Sequence, residues 1–150
     1  MSILAKIPPD KFPWALTGSA GLRLQGVDIP VHDLDLQTDA RTVHQLEKEL
    51  TEFMRTPVHD WETEHTFSHH GQADIDGIQV ELLGGMRHRA PDGSWEKPAA
   101  VKSIRVWVDW RGHGIPVLPL EHEARAYAKM GREQKAELIR SACETRKPYD

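Results

Sequence analysis

The chain has 150 residues, of which 39% are hydrophobic and 28% charged, with a formal net charge of -4; this suits one globular domain and argues against a broad nonspecific nucleic-acid surface. Its one cysteine, Cys143, excludes a disulfide framework and a cysteine zinc site. No apolar run approaches the roughly 20 residues of a membrane helix, and Met1 to Pro9 lacks the basic start and long apolar stretch of a signal peptide, so a single cytoplasmic domain over residues 1–150 is expected.

Phe12 to Leu16 reads as a short first strand or turn, broken by Thr17-Gly18-Ser19. Ala20 to Gln25 follows as a short helix that Gly26 ends, and Val27 to Pro30 as a loop. Val31 to Gln37 alternates apolar and polar residues, as a strand does. Asp39 suits a helix N-cap. Val43, Leu46, Leu50, Phe53 and Met54 then recur at helical spacing, predicting a helix over 40–55 that Pro57 terminates. Glu62 to His69 and Asp74 to Leu83 read as two strands joined near Gly71. Met86 to Pro98 reads as a polar loop, Val101 to Trp110 as a strand, and Arg111 to Gly114 as a turn. Leu120 to about Ala142 is helical in pattern, with Lys147 to Asp150 as a frayed tail. The order predicts an α+β fold, a mixed sheet with helices mainly on one face.

The chemistry concentrates between residues 17 and 36. Side chains at i and i+2 of a strand share a face, so Asp33 and Asp35 project together while Leu34 and Leu36 enter the core. Two carboxylates held this close repel unless a cation lies between them. Magnesium suits that place, since it takes oxygen ligands and commonly binds one or two carboxylates plus substrate phosphates. Upstream, Gly18 allows close backbone approach, and Ser19 offers a hydroxyl and an amide at a helix start, where phosphate binds well. An Asp-x-Asp pair alone is commonly a solvated strand face, and a Gly-Ser pair a turn. Their order, with leucines flanking the second aspartate, points to a phosphate cradle beside a metal clamp.

Leu16-Thr17-Gly18-Ser19 and Asp33-Leu34-Asp35-Leu36 resemble the core motif of the nucleotidyltransferase superfamily that includes DNA polymerase beta. The chain looks most like minimal bacterial nucleotidyltransferases and small antibiotic nucleotidyltransferases. The resemblance implies transfer of a nucleoside monophosphate from a nucleoside triphosphate, ATP among them, to a hydroxyl acceptor, with Mg2+ held by Asp33 and Asp35. It also implies a third carboxylate from a later strand. Glu81 fits, because Ile78, Val80 and Leu82 share one strand face and leave Glu81 on the other; it would touch metal and act as general base. Asp74, Asp76 and Asp109 compete for that role. Late-helix cations of look-alikes make Lys129 and Arg132 candidates for the triphosphate, with Lys135 at the same three-residue spacing. The acceptor is open: a small molecule, a protein side chain or an RNA end. So short a chain leaves the acceptor site to be completed by self-association or a partner chain.

Two other classes compete. One is a non-catalytic nucleotide-binding module or toxin–antitoxin partner with the same fold. The other is a zinc or manganese hydrolase built on His65, His69, His70 and Asp74, with His32 beside the aspartates, although no His-Glu-x-x-His pattern is present. The five tryptophans read as packing residues, Trp95 excepted as a base-stacking candidate.

Overall fold

The computed structural model describes residues 3–145. In chain order the elements are α1 (Ile3–Lys6), β1 (Ala15–Thr17), α2 (Gly18–Leu24), β2 (Leu34–Thr38), α3 (Thr42–Glu49), β3 (Met54–Glu62), β4 (Thr66–Ile75), β5 (Ile78–His88), α4 (Val101–Ile104), β6 (Val106–Trp110), β7 (His113–Val117), α5 (Leu120–Lys129) and α6 (Glu133–Thr145). The strands form one seven-stranded sheet in the order β3-β4-β5-β2-β1-β7-β6. β2 runs parallel to β5 and β1 parallel to β7; the other pairings are antiparallel. The fold is thus the expected α+β type with a mixed sheet.

Alternation of side chains sorts the two faces. Leu36, Val80 and Leu82 turn into a core that Val43 and Leu46 of α3 complete, together with Leu50, Trp14 and Ile7. Gly84 of β5 is small because Val43 lies over it: an added Cβ would run into Val43 Cγ1. A second cluster joins Leu22 of α2 to Leu120, Ala124 and Tyr127 of α5 and Ala136 and Ile139 of α6. It seats the last two helices beside β1 and α2.

Several element boundaries differ from the sequence reading. β2 starts at Leu34, leaving Asp33 just ahead of it. Asp39 does cap α3, accepting from the Thr42 amide at 2.6 Å and the Thr42 hydroxyl at 2.9 Å. The helix stops at Glu49, however, and after a single 3-10 turn over Thr51–Phe53 the chain enters β3. Phe53 and Met54 pack against the core from there, so their apolar spacing mimics a helix continuation. Pro57 is tolerated because β3 is an edge strand, where a missing N–H breaks no interior ladder. The β4–β5 turn falls at Asp76-Gly77, both at positive φ (53° and 81°), and not at Gly71. Gly71 lies inside β4, where a Cβ would meet Val58 at 3.0 Å.

Further along, Met86 to His88 extend β5, residues 101–104 form a helical turn, and residues 113–117, read in part as a turn, form β7. The long final helix is two, broken at Gly131 with φ of 78°. The predicted tail at 147–150 lies outside the described residues.

Candidate active site

Three neighbouring strands bring Thr17, Asp35 and Glu81 into one row: Thr17 of β1 stands opposite Asp35 of β2, and Asp35 opposite Glu81 of β5. Leu36 on the reverse face is fully buried, so Asp35 projects away from the α3 side of the sheet. Its carboxylate lies against Gly18, the first residue of α2: a Cβ built on Gly18 would come within 2.5 Å of Asp35 Oδ2. Gly18 also has φ of 65°, a conformation costly for any residue with a Cβ. The glycine read as allowing close approach of a ligand therefore admits Asp35 itself.

Burial first, and then the negative charges of Asp33 and Glu81, push the Asp35 carboxyl up to about 7, with Lys135 working in the opposite direction. Burial also acts to raise Glu81, but hydrogen bonds from its neighbours outweigh it and hold that carboxyl below its usual range. His70 Nε2 lies 2.6 Å from Oε2, while Gln72 and Gln79 donate to Oε1 at 3.0 and 2.8 Å. His70 is buried, with Trp61 packed edge-on at a centroid distance of 4.3 Å.

Beneath this row is a carboxylate that sequence reasoning missed. Glu123 of α5 is fully buried; its Oε1 accepts from the Thr17 hydroxyl at 2.6 Å, and the Gly18 amide donates to the same group. Burial pushes this carboxyl up to about 7. Glu123 thus occupies one of the amides expected to cradle phosphate, and half-buried Ser19 follows it in α2. No local spacing signals Glu123, since its partner stands 106 residues away.

Of the three late cations, Lys129 stands apart, while Arg132 and Lys135 share the Tyr127 ring. Lys129 pairs with Glu96 at 2.9 Å. The Arg132 guanidinium lies 5.3 Å from the Tyr127 ring centroid, and Lys135 Nζ lies 4.4 Å from the same centroid. Lys135, on α6, is the one whose charge acts on both Asp35 and Glu123. The carboxylates competing with Glu81 serve turns: Asp74 accepts from the Gly77 amide, Asp109 from the Gly112 amide, and Asp76 sits in the β4–β5 turn.

A family model described as Aminoglycoside-2''-adenylyltransferase matches residues 1–141. The chain belongs to this family. Among solved structures it is similar to a candidate nucleotidyltransferase of Thermotoga maritima, TM1012, with 41% identity, a TM-score of 0.81, and coverage of 96% of this chain and 89% of that one. Its fold also matches ANT(2'')-Ia, solved in complex with adenylyl-2''-tobramycin (18% identity, TM-score 0.59, coverage 95% and 84%), and the lincosamide antibiotic adenylyltransferase LnuA, solved with lincomycin (10% identity, TM-score 0.52, coverage 86% and 86%). No curated protein matches the chain.

Family and fold place this adenylyltransferase-family chain among the nucleotidyltransferase enzymes. The histidine grouping of the hydrolase reading does not assemble. His69 pairs with Asp60, His70 with Glu81, and His65 approaches Glu64. Among the described residues no three or more His, Cys, Asp or Glu side chains are grouped so as to hold a metal ion. Trp95, the stacking candidate, lies under Arg89 at 4.2 Å from its ring centroid. Among the described residues no helix is long and apolar enough to cross a membrane.

Proposed function

We propose that the protein transfers a nucleoside monophosphate from a nucleoside triphosphate to a hydroxyl acceptor, using Asp33, Asp35 and Glu81 with Mg2+. The observation that carries this reading is the Thr17–Asp35–Glu81 row, with Asp35 pressed against Gly18 at the start of α2. The donor set fits a hard cation. Asp35 is forced toward its protonated form chiefly by burial and by its acidic neighbours, a cost that a cation would remove. Two carboxylates with the remaining positions left to phosphate and water is a common magnesium arrangement. When bound, the ion supplies charge stabilisation at the phosphoryl group.

The chain's own residues do the rest. Asp33 and Asp35 hold the cation; Lys135, with Arg132 beside it, faces the negative charge of the triphosphate; Gly18 and Ser19 shape its seat. Glu81, held in one rotamer by His70, Gln72 and Gln79, orients the acceptor hydroxyl and accepts its proton as the oxygen attacks the α-phosphorus and pyrophosphate leaves. The family description makes an aminoglycoside hydroxyl the first acceptor to test, and a second copy or partner chain would complete the acceptor side.

The test is incubation with each labelled nucleoside triphosphate, Mg2+ and a panel of hydroxyl acceptors, aminoglycosides first, with pyrophosphate release as readout. Tight nucleotide binding without pyrophosphate release on any acceptor would favour the non-catalytic module instead.

A further inference from the structure

The far end of the same cleft has no role in the mechanism above. Between the polar face of the sheet and α5 lies a pocket of about 120 Å³, headed by Thr17, Gly18, Asp35 and Glu123. Its far end is walled by Leu83, Met86, Ala126, Tyr127 and Met130, with the polar side chains of Gln37, His88 and His122. Glu81 does not line it. Resting on the transfer reading, we infer that this pocket takes the base of the donor nucleotide, with His88 and His122 reading its edge.

Three observations carry this. Leu83, Met86, Ala126, Tyr127 and Met130 give the far end apolar and aromatic walls, and Gln37, His88 and His122 give it a polar rim, which matches a flat heterocycle with apolar faces and a hydrogen-bonding edge. The acceptor hydroxyl must instead reach Glu81, which lies outside the pocket. The volume is that of one ring system, not of a whole nucleotide. Secondly, His88 Nδ1 is buried and has no hydrogen-bond partner among the described residues, and buried polar atoms seldom go unpaired without a reason. A base supplies the missing partner. Thirdly, both imidazoles are kept neutral: burial and the charge of Lys129 lower His88 against the pull of Glu96, and burial, Arg125, His88 and Lys129 lower His122 to about 4. A neutral imidazole offers one donor and one acceptor, which suits an uncharged base edge and suits phosphate poorly.

The experiment is calorimetric titration of the full chain, in Mg2+, with each of the four common ribonucleoside triphosphates and with inorganic triphosphate. Wild type is expected to bind at least one nucleotide more tightly than inorganic triphosphate. His88→Ala and His122→Gln should each lose about two- to tenfold in affinity for that nucleotide, the worth of one neutral hydrogen bond, and keep the affinity for inorganic triphosphate. Ala126→Phe, which fills the pocket from α5, should do the same more strongly. Thermal melts establish that each variant folds, and the three variants reach the pocket from different elements. If inorganic triphosphate binds as well as every nucleotide, or if the variants weaken both ligands equally, the base pocket is overturned while the transfer reading stands. If wild type binds neither, both fall together.

Discussion

The Thr17 hydroxyl donates to Glu123 at 2.6 Å across 106 residues of sequence, inside the protein, and the Gly18 amide points to the same carboxylate. The bond latches α5 to the turn between β1 and α2, so the last third of the chain holds the residue against which Asp35 rests. Removing the hydroxyl strands a buried acceptor. Thr17→Val is therefore expected to cost about 1–3 kcal/mol of stability. Glu123→Gln should cost less, because an amide oxygen still accepts from the Thr17 hydroxyl. Urea denaturation of the two variants checks this, and an undiminished midpoint in Thr17→Val would refute the latch.

The raised carboxyls of Asp35 and Glu123 make stability depend on pH in a direction opposite to that of most acidic residues. Their pKa values rise from 3.8 and 4.5 to about 7, so between those limits the folded chain keeps protons that the unfolded chain has released. Stability from these groups is present below about pH 4 and is lost as pH rises toward 7. Asp35→Asn should thus gain on metal-free wild type between about pH 5 and 8, and its melting temperature should depend less on pH. A constant difference between the two proteins across that range would contradict the burial of Asp35.

Gly18 and Asp35 should be thermodynamically coupled. Gly18→Ala places a methyl within 2.5 Å of Asp35 Oδ2 and at a φ of 65°. The left-handed conformation alone costs about 1–2 kcal/mol, and the clash adds to it. In an Asp35→Ala background only the backbone term remains, so the same substitution should cost visibly less. Additive losses in a double-mutant cycle would mean that the two residues do not meet as described.

Ligand binding tests the proposed metal site without knowledge of the acceptor. With Mg2+ and a nucleoside triphosphate at about 100 times the dissociation constant, stability rises by about 2.7 kcal/mol, worth several degrees of melting temperature in a domain of this size. Asp33→Asn and Asp35→Asn should abolish both this rise and nucleotidyl transfer. Asp109→Asn should keep the rise, since that carboxylate serves the Gly112 turn. A full rise in Asp35→Asn would place the metal elsewhere.

Much of the architecture was legible because local and global preferences agree around the site. The alternation at Leu34-Asp35-Leu36 assigned opposite faces, and Asp39 announced the start of α3 through its own short-range bonds. The β3 edge was hidden because Phe53 and Met54 serve the core from a 3-10 turn and a strand at a spacing that also suits a helix. The β6–β7 turn at Arg111-Gly112 was correctly sensed, but its second strand was lost because His113-Gly114-Ile115-Pro116 carries residues unusual in strands; there it is the pairing with β6 and β1 that decides. Within the site, the residues contributed by one contiguous motif could be named in advance. Glu123 and Lys135 could not, since their roles depend on how α5 and α6 dock and not on spacing along the chain.

The sheet order separates what is crowded from what is free to vary. The strands bearing Thr17, Asp35 and Glu81 are interior neighbours, whereas β3 with β4 and β6 with β7 form hairpins at the two margins. Because β2 and β5 run parallel, the chain must leave the sheet and return between Asp35 and Glu81, and α3 and the β3–β4 hairpin occupy that excursion. Lengthening the marginal hairpins therefore changes the outline of the molecule without shifting the register of its centre. Insertions at either margin leave the same three-residue row in place.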